Sequence, residues 1–309
     1  MNTETFSFQS TDGVDIFAHT WLPGKDAPLK AILQISHGMA EHSARYERFA
    51  SALCQAGIGV YANDHRGHGQ TAGDLDKIGF FADANGWDKV VEDMHRLTGI
   101  IAENHPVVPI FLFGHSMGSF LSRTYITRYG NEVTGAILSG TGGDPGLLGK
   151  VGLLVARTES WIRGNTARSP MLNNLSFGGF NKAFKPNRTD FDWLSRDEAE
   201  VDKYVADPYC GGVFTAGFFV DLIGGINFIN TPEAIAMVPK SLPIFLFSGA
   251  LDPVGDNTKG VQQVCDGYKA AGIEEVSVKF YDGGHHEMLN ETNRDEVFGD
   301  VIRWVSDRM

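Results

Sequence analysis

Cysteine is scarce in this chain, with only Cys54, Cys210 and Cys265 among 309 residues. They are odd in number, far apart and in no metal-ligand spacing, which argues against a disulfide framework or a zinc ribbon. Such usage fits a reducing compartment, so a cytoplasmic location is expected. Cys54 lies in an apolar, helix-like stretch, where packing is its expected role. Basic residues are outnumbered: 26 Lys and Arg against 38 Asp and Glu give a formal net charge of −12. A surface of that sign repels phosphates, so no nucleic-acid partner is expected, and solubility accounts for the excess. No apolar run is long enough to span a bilayer. The stretch Met1–Thr5 has no basic region leading into an apolar core, so neither a signal peptide nor an integral membrane segment is expected. Internal repeats, low-complexity tracts and disordered linkers are missing too. The remainder is ordinary globular composition, 42% hydrophobic and 21% charged. Its length suits one large α/β domain with an insertion, or two small domains.

The pattern that is present alternates. Thr5–Phe8 and Ile16–Trp21 read as strands joined by an Asp12-Gly13 turn. Ala31–Ile35 is a buried strand, residues 44–56 look helical, and Gly59–Ala62 is the next strand. Residues 87–104 place Val90, Val91, Met94, Leu97, Ile100 and Ile101 at helical spacing. An apolar run, 107–113, then leads into helical residues 119–126, and Gly135–Ser139 reads as strand. This order predicts a mostly parallel sheet with helices on both faces. The rhythm stops between about 142 and 240, where glycines mix with large apolar residues. It resumes with strands Ile244–Phe247 and Val276–Tyr281 and a closing helix over 294–308. The expected organisation is a core of residues 1–141 and 241–309, with 142–240 inserted as a mainly helical cap over the C-terminal edge of the sheet.

The pentapeptide Gly114-His115-Ser116-Met117-Gly118 sits between the apolar run and the helix. A serine on a sharp strand-to-helix turn projects its hydroxyl above the sheet, and flanking glycines remove side chains that would clash. The helix N-terminus then aims N–H groups at negative charge developing beside the serine. Serine is a weak nucleophile and needs a base, and the base needs an orienting acid. Loops after the later strands share the edge where Ser116 sits. Two qualify: Ser248–Gly255, holding Asp252, and Asp282–Leu289, holding His285 and His286. The order Ser, Asp, His is that of an α/β-hydrolase. An oxyanion would need the N–H of Met117 and one from the loop Ser36–His42, assigned to Met39.

At these residues the chain resembles monoacylglycerol lipases and lysophospholipase-like serine hydrolases, a resemblance that extends to the serine aminopeptidase-like group. The segments that carry it are His37-Gly38-Met39-Ala40-Glu41-His42-Ser43-Ala44-Arg45-Tyr46, Asp64-His65-Arg66-Gly67-His68-Gly69-Gln70-Thr71 (threonine where the family has serine), Gly114–Gly118, Asp207–Gly211, Asp252–Gly255 and Gly283–Glu291. The resemblance implies an eight-stranded α/β-hydrolase fold and catalytic Ser116, Asp252 and His286, with the base at His286. It implies ester hydrolysis through an acyl-enzyme, on monoacylglycerols, lysophospholipids or similar small acyl esters. No metal and no organic cofactor is implied. Transient contact with a lipid surface is compatible with it, and oligomeric state is left open.

Other readings stay open at this level. His285 adjoins the assigned base, and Asp144 is an alternative acid. His37 is expected to orient the oxyanion loop, and His65 and His68 to be structural. The charged run 196–200 reads as a solvated helix face. The aromatic residues of 142–240, including Trp161, Phe177, Trp193, Tyr204, Phe214, Phe218 and Phe219, could line an acyl pocket or pack the cap. An aminopeptidase would need a carboxylate for the substrate ammonium, for which Glu159, Asp190 and Glu233 are available. A hydrolase-fold binding protein with little turnover is the non-enzymatic alternative, although such proteins often lose a triad member and this chain keeps all three.

Overall fold

Eight strands build one sheet: β1 (Asn2–Gln9), β2 (Asp15–Leu22), β3 (Ala31–Ser36), β4 (Ile58–Asn63), β5 (Ile110–His115), β6 (Gly135–Ser139), β7 (Ile244–Gly249) and β8 (Val276–Tyr281). The computed structural model describes residues 1–25 and 27–309. The strands lie in the order β1-β2-β4-β3-β5-β6-β7-β8. β1 and β2 form an antiparallel hairpin, β2 runs antiparallel to β4, and every later pairing is parallel. This is the mostly parallel α/β sheet that the alternating pattern predicts.

Eleven α-helices occur among the described residues. They are α1 (Glu47–Gln55), α2 (Gly69–Ala72), α3 (Gly86–Asn104), α4 (Met117–Tyr129), α5 (Gly146–Arg163), α6 (Pro170–Phe177), α7 (Glu198–Ala206), α8 (Ala216–Ile229), α9 (Pro232–Met237), α10 (Lys259–Ala270) and α11 (Arg294–Ser306). None is long and apolar enough to cross a membrane.

The strands alternate between two apolar layers. Leu33, Phe111, Phe113, Ile137, Phe245 and Phe247 face a layer completed by α1 and α11 through Phe49, Leu53, Val301 and Trp304. Ile32, Leu112, Leu138 and Leu246 face the opposite layer, which α3, α4 and α10 complete through Val90, Met94, Leu121 and Val261. Period-two side chains on a sheet covered on both sides produce this division. Gln34 is the polar exception in β3. It donates to Met94 O at 2.7 Å and accepts from Thr98 Oγ1 at 2.7 Å, so its burial leaves no amide atom unpaired.

One boundary differs from the sequence reading. The apolar run beginning at Val107 enters the sheet only at Ile110. Pro109 has no N–H for the ladder, although its carbonyl accepts from Ile32 N–H at 2.9 Å. Val107 stays in solvent.

The parallel register aligns the C-terminal strand ends along one edge. Ser36 pairs with Gly114, His115 with Ser139, Ser139 with Phe247, and Gly249 with Tyr281. The loops leaving this edge carry most of the candidate chemistry. Between β6 and β7 the chain forms α5 to α9 and adds no strand to the sheet among the described residues. Within this segment α8 packs on α5 and on α3 and α4.

Candidate active site

Ser116 joins β5 to α4 with φ 52° and ψ −121°, a conformation that costs a non-glycine residue energy. Its backbone is held on both sides: Ser116 N–H donates to Ser139 O at 2.9 Å, and Ser116 O accepts from Ser119 N–H at 2.8 Å and Ser119 Oγ at 2.6 Å. The flanking glycines are there because of close approach. A Cβ at Gly118 would lie 1.9 Å from Ser36 O, and one at Gly114 would lie 2.4 Å from Gly118 O. Met117 opens α4, so its N–H is a first-turn donor with no acceptor inside the helix.

Asp252 and His286 meet from the loops after β7 and β8. His286 Nδ1 lies 2.9 Å from both carboxylate oxygens, and both side chains are buried. Val254 N–H and Ser248 Oγ also donate to Asp252, at 2.9 and 3.1 Å. Burial alone would lower the His286 pKa; the Asp252 charge and hydrogen bond outweigh it, so the pKa is raised. Burial would likewise raise that of Asp252, and the histidine and the N–H donor pull it below its ordinary value. With Nδ1–H turned to the carboxylate, Nε2 is the free ring nitrogen. Ser116 and His286 border one cavity. Ser116 Oγ makes no side-chain hydrogen bond among the described residues.

The neighbouring candidates lie elsewhere. His285 turns away: its Nδ1 donates to Asp192 O at 2.9 Å and its ring packs 4.1 Å from Phe184. Asp144 is exposed and accepts from Gly146 N–H at 2.8 Å. His115 packs 4.7 Å from the His286 ring, and burial beside that ring lowers its pKa to about 4. It stays neutral while His286 titrates.

The loop after β3 is tightly pinned. His37 Nδ1 donates to Gly38 O at 2.8 Å, which fixes Nε2 as the acceptor of His65 N–H at 2.9 Å. His65 in turn contacts Ser36 Oγ at 2.9 Å, and His68 contacts Arg66 O at 2.9 Å. Burial lowers the pKa of all three, to about 3 for His68. These histidines hold backbone in place and are not among the described residues that line the cavity bordered by Ser116. Met39 does border it.

Three residues given no role by the sequence reading organise this region. Glu41 accepts from Gly38 N–H at 2.6 Å, Tyr46 OH at 2.8 Å and Arg45 at 2.7 Å. Arg45 also donates twice to Glu287, at 2.7 Å each, and lies 4.9 Å over the Tyr204 ring. Burial would raise the Glu41 pKa, but Arg45 and the other partners bring it down to about 2, so the carboxylate is ionised. Glu41 and Arg45 stand inside the His37–Tyr46 segment. Glu287 lies far away in sequence, and no spacing signal links them.

The shared cavity has a volume of about 510 Å³. Its lining mixes the aromatic residues Phe177, Phe191, Trp193 and Tyr204 with the polar residues Asn173, Asn174, Asn181 and Asp190. The aromatic residues of 142–240 therefore divide. Phe214, Phe218 and Phe219 are fully buried and pack core, Trp161 is 86% exposed, and Phe191 is a lining residue absent from the sequence reading. Of the three carboxylates considered for an ammonium, only Asp190 borders the cavity. Glu159 is committed to Arg163 and Ser169, and Glu233 lies in the first turn of α9.

Known proteins match this chain along most of its length. The sequence model of the serine aminopeptidase S33 family matches residues 27–293. A monoacylglycerol lipase of Mycolicibacterium smegmatis is 31% identical over 302 residues, covering 97% of this chain and 95% of its own. The monoglyceride lipase of Rattus norvegicus is 29% identical over 308 residues, covering 97% of this chain and 89% of its own. The crystal structure of a highly thermostable carboxyl esterase from Bacillus coagulans, in complex with glycerol, aligns with a TM-score of 0.92 at 31% identity, covering 100% of this chain and 99% of that one.

Proposed function

The chain belongs to the serine aminopeptidase S33 family of α/β-hydrolases and is an ester hydrolase, and from that premise we propose that Ser116, His286 and Asp252 are its catalytic triad. Ser116 Oγ attacks the ester carbonyl. His286 Nε2 takes the serine proton and delivers it to the leaving alcohol. Asp252 keeps His286 in the tautomer with Nδ1–H and stabilises the charged ring. The N–H groups of Met39 and Met117 hold the oxyanion. Water then cleaves the acyl-enzyme with His286 again as base. The observation that carries this reading is the Asp252–His286 pair, whose histidine borders the same cavity as a serine held at φ 52°.

The substrate we propose is a monoacylglycerol, a lysophospholipid or a similar single-chain acyl ester. The four aromatic lining residues would take the acyl chain, and the lining amides of Asn173 and Asn174 the polar alcohol. Residues 142–240 would be the cap that supplies this lining. Its outer face carries Leu147, Leu148, Leu154, Trp161 and Ile162 of α5 and Leu175 of α6, all strongly exposed. We assign that face to transient contact with aggregated lipid substrate. The cleavage itself calls for no metal or organic cofactor.

Asp190 favours one second reading, hydrolysis of aminoacyl amides with the carboxylate on the substrate ammonium. A single panel separates the two. On p-nitrophenyl esters of rising chain length, kcat/KM should climb by roughly 0.8 kcal/mol of transition-state stabilisation per methylene newly buried, and aminoacyl anilides should be poor substrates. Faster cleavage of the anilides would overturn the ester assignment. A flat chain-length profile would remove the acyl-pocket assignment.

A further inference from the structure

We propose that His42, Asp207 and Cys210 form an inhibitory Zn²⁺ site that clamps the oxyanion loop to the segment joining α7 and α8. The three residues offer an imidazole nitrogen, a carboxylate oxygen and a thiol sulfur, and these atoms all lie within 4.8 Å of one another. In a tetrahedral zinc site, bond lengths of about 2.0–2.3 Å set neighbouring ligand atoms about 3.3–3.7 Å apart. The trio needs only small side-chain movement to reach that. His42 Nε2 already points at Asp207 Oδ2 from 2.9 Å and has only to open slightly. The mixed N, O, S set suits zinc, whereas calcium and magnesium require oxygen ligands.

The backbone prepares the site. Cys210 N–H donates to Asp207 O at 3.0 Å, and this turn brings Asp207 and Cys210 to one side. Tyr209 N–H occupies Asp207 Oδ1 at 2.9 Å, which leaves Oδ2 for the ion. The His42 and Asp207 side chains are 15% and 28% exposed, so an ion can enter from solvent with water as fourth ligand. Arg45, a cation whose charge reaches Asp207 and Cys210, is paired to Glu41 and Glu287. Binding Zn²⁺ forms the Zn–S bond and releases the thiol proton to solvent. No spacing in the sequence announces the set, because His42 and Asp207 are 165 residues apart.

The position explains the effect. Gly211, next to Cys210, donates its N–H to Ala40 O at 3.1 Å. Ala40 adjoins Met39, and Met39, Ala40, Glu41, Tyr204, Gly211 and Gly212 form neighbouring walls of the cavity. None of the three ligands lines it. The ion therefore takes no part in ester cleavage. It ties two walls together and slows substrate entry and product release. This second step rests on the proposed ester hydrolysis; binding does not.

Co²⁺ absorption reads binding without any turnover. One equivalent of Co²⁺ should give a thiolate-to-cobalt charge-transfer band, and Zn²⁺ should displace it. Cys210→Ser should abolish the band, and His42→Ala should weaken Co²⁺ affinity by about tenfold or more, with both variants folded by circular dichroism. No band, or a band that survives Cys210→Ser, would overturn the site whatever the enzyme hydrolyses. In the kinetic arm, Zn²⁺ should lower kcat of the wild type on a p-nitrophenyl ester, EDTA should restore it, and Cys210→Ser should keep the basal rate and resist Zn²⁺. Equal inhibition of Cys210→Ser would overturn the clamp.

Discussion

Arg45 grips Glu287 through two parallel hydrogen bonds of 2.7 Å, and Glu287 is the residue directly after His286. The same guanidinium reaches Glu41, whose carboxylate holds Gly38 N–H at the start of the oxyanion loop. One part-buried arginine thus joins the loop proposed to bind the oxyanion to the loop that carries the proposed base. Planar, bidentate geometry makes this a role for arginine in particular.

Arg45→Met should leave two carboxylates buried without their cation. Breaking a buried pair in this way costs about 3–5 kcal/mol, so thermal unfolding should show a clear fall in Tm. Arg45→Lys should fold better, keep KM near the wild-type value and lower kcat, because the fork is lost and the loops loosen. An unchanged Tm in Arg45→Met would contradict the coupling.

His286→Ala should be as inactive as Ser116→Ala, with kcat lower by about 10⁴–10⁶-fold. His285→Ala should retain most activity, since its ring bonds to Asp192 O away from Asp252. Asp252→Asn should lose on the order of 10⁴-fold through the wrong imidazole tautomer. Steady-state kinetics of the purified variants checks the set, and an inactive His285→Ala would shift the base by one residue.

The pH profile follows from His286. Its pKa is raised above 6.5 because Asp252 outweighs burial. The proton must be absent for the ring to accept one from Ser116, so kcat/KM should fall as pH drops through a value above 6.5. His115, at about 4, should add no second inflection near neutrality. Residual activity of Asp252→Asn should have its acid limb at lower pH. An acid limb that does not move in that variant would break the link between Asp252 and the titration.

Asp190→Asn distinguishes the two substrate readings. With esters it should change kcat/KM by no more than about twofold, the scale of an ordinary surface substitution. A large loss on aminoacyl anilides, together with high wild-type activity on them, would favour the amide reading.

Trp161 reports on the exposed apolar face. Four of the five tryptophans are more protected than Trp161, which is 86% exposed. Adding phosphatidylcholine vesicles should blue-shift its emission, and Trp161→Ser should remove the shift. An unshifted wild-type spectrum would contradict lipid contact through α5.

Much of this architecture is legible in the sequence because its signals are local. Gly114 and Gly118 mark a turn that admits no Cβ, and the β3 to β8 strands announce themselves as apolar runs between helices. Pro109 shows the limit: the apolar run before it looks like strand, but a residue without an N–H delays entry into the ladder. Strand order points to Asp252 and to the loop holding His285 and His286, and the resemblance of Gly283–Glu291 is what selects His286. The Arg45–Glu287 pair could not, since ion pairs across 242 residues leave no periodic trace. Phe191 and Asn173 were equally hidden, because residues 142–240 follow no strand rhythm that would predict which side chains face the cavity. The His42, Asp207 and Cys210 cluster was concealed for the same reason.

The central claim is that Ser116 is the nucleophile, and an alkyl fluorophosphonate tests it most directly. Phosphonylation should reach one group per chain, map by peptide mass spectrometry to the peptide containing Ser116, and track loss of ester hydrolysis one for one. Ser116→Ala should take up none. Label on another residue, or ester turnover that survives complete labelling of Ser116, would contradict the account.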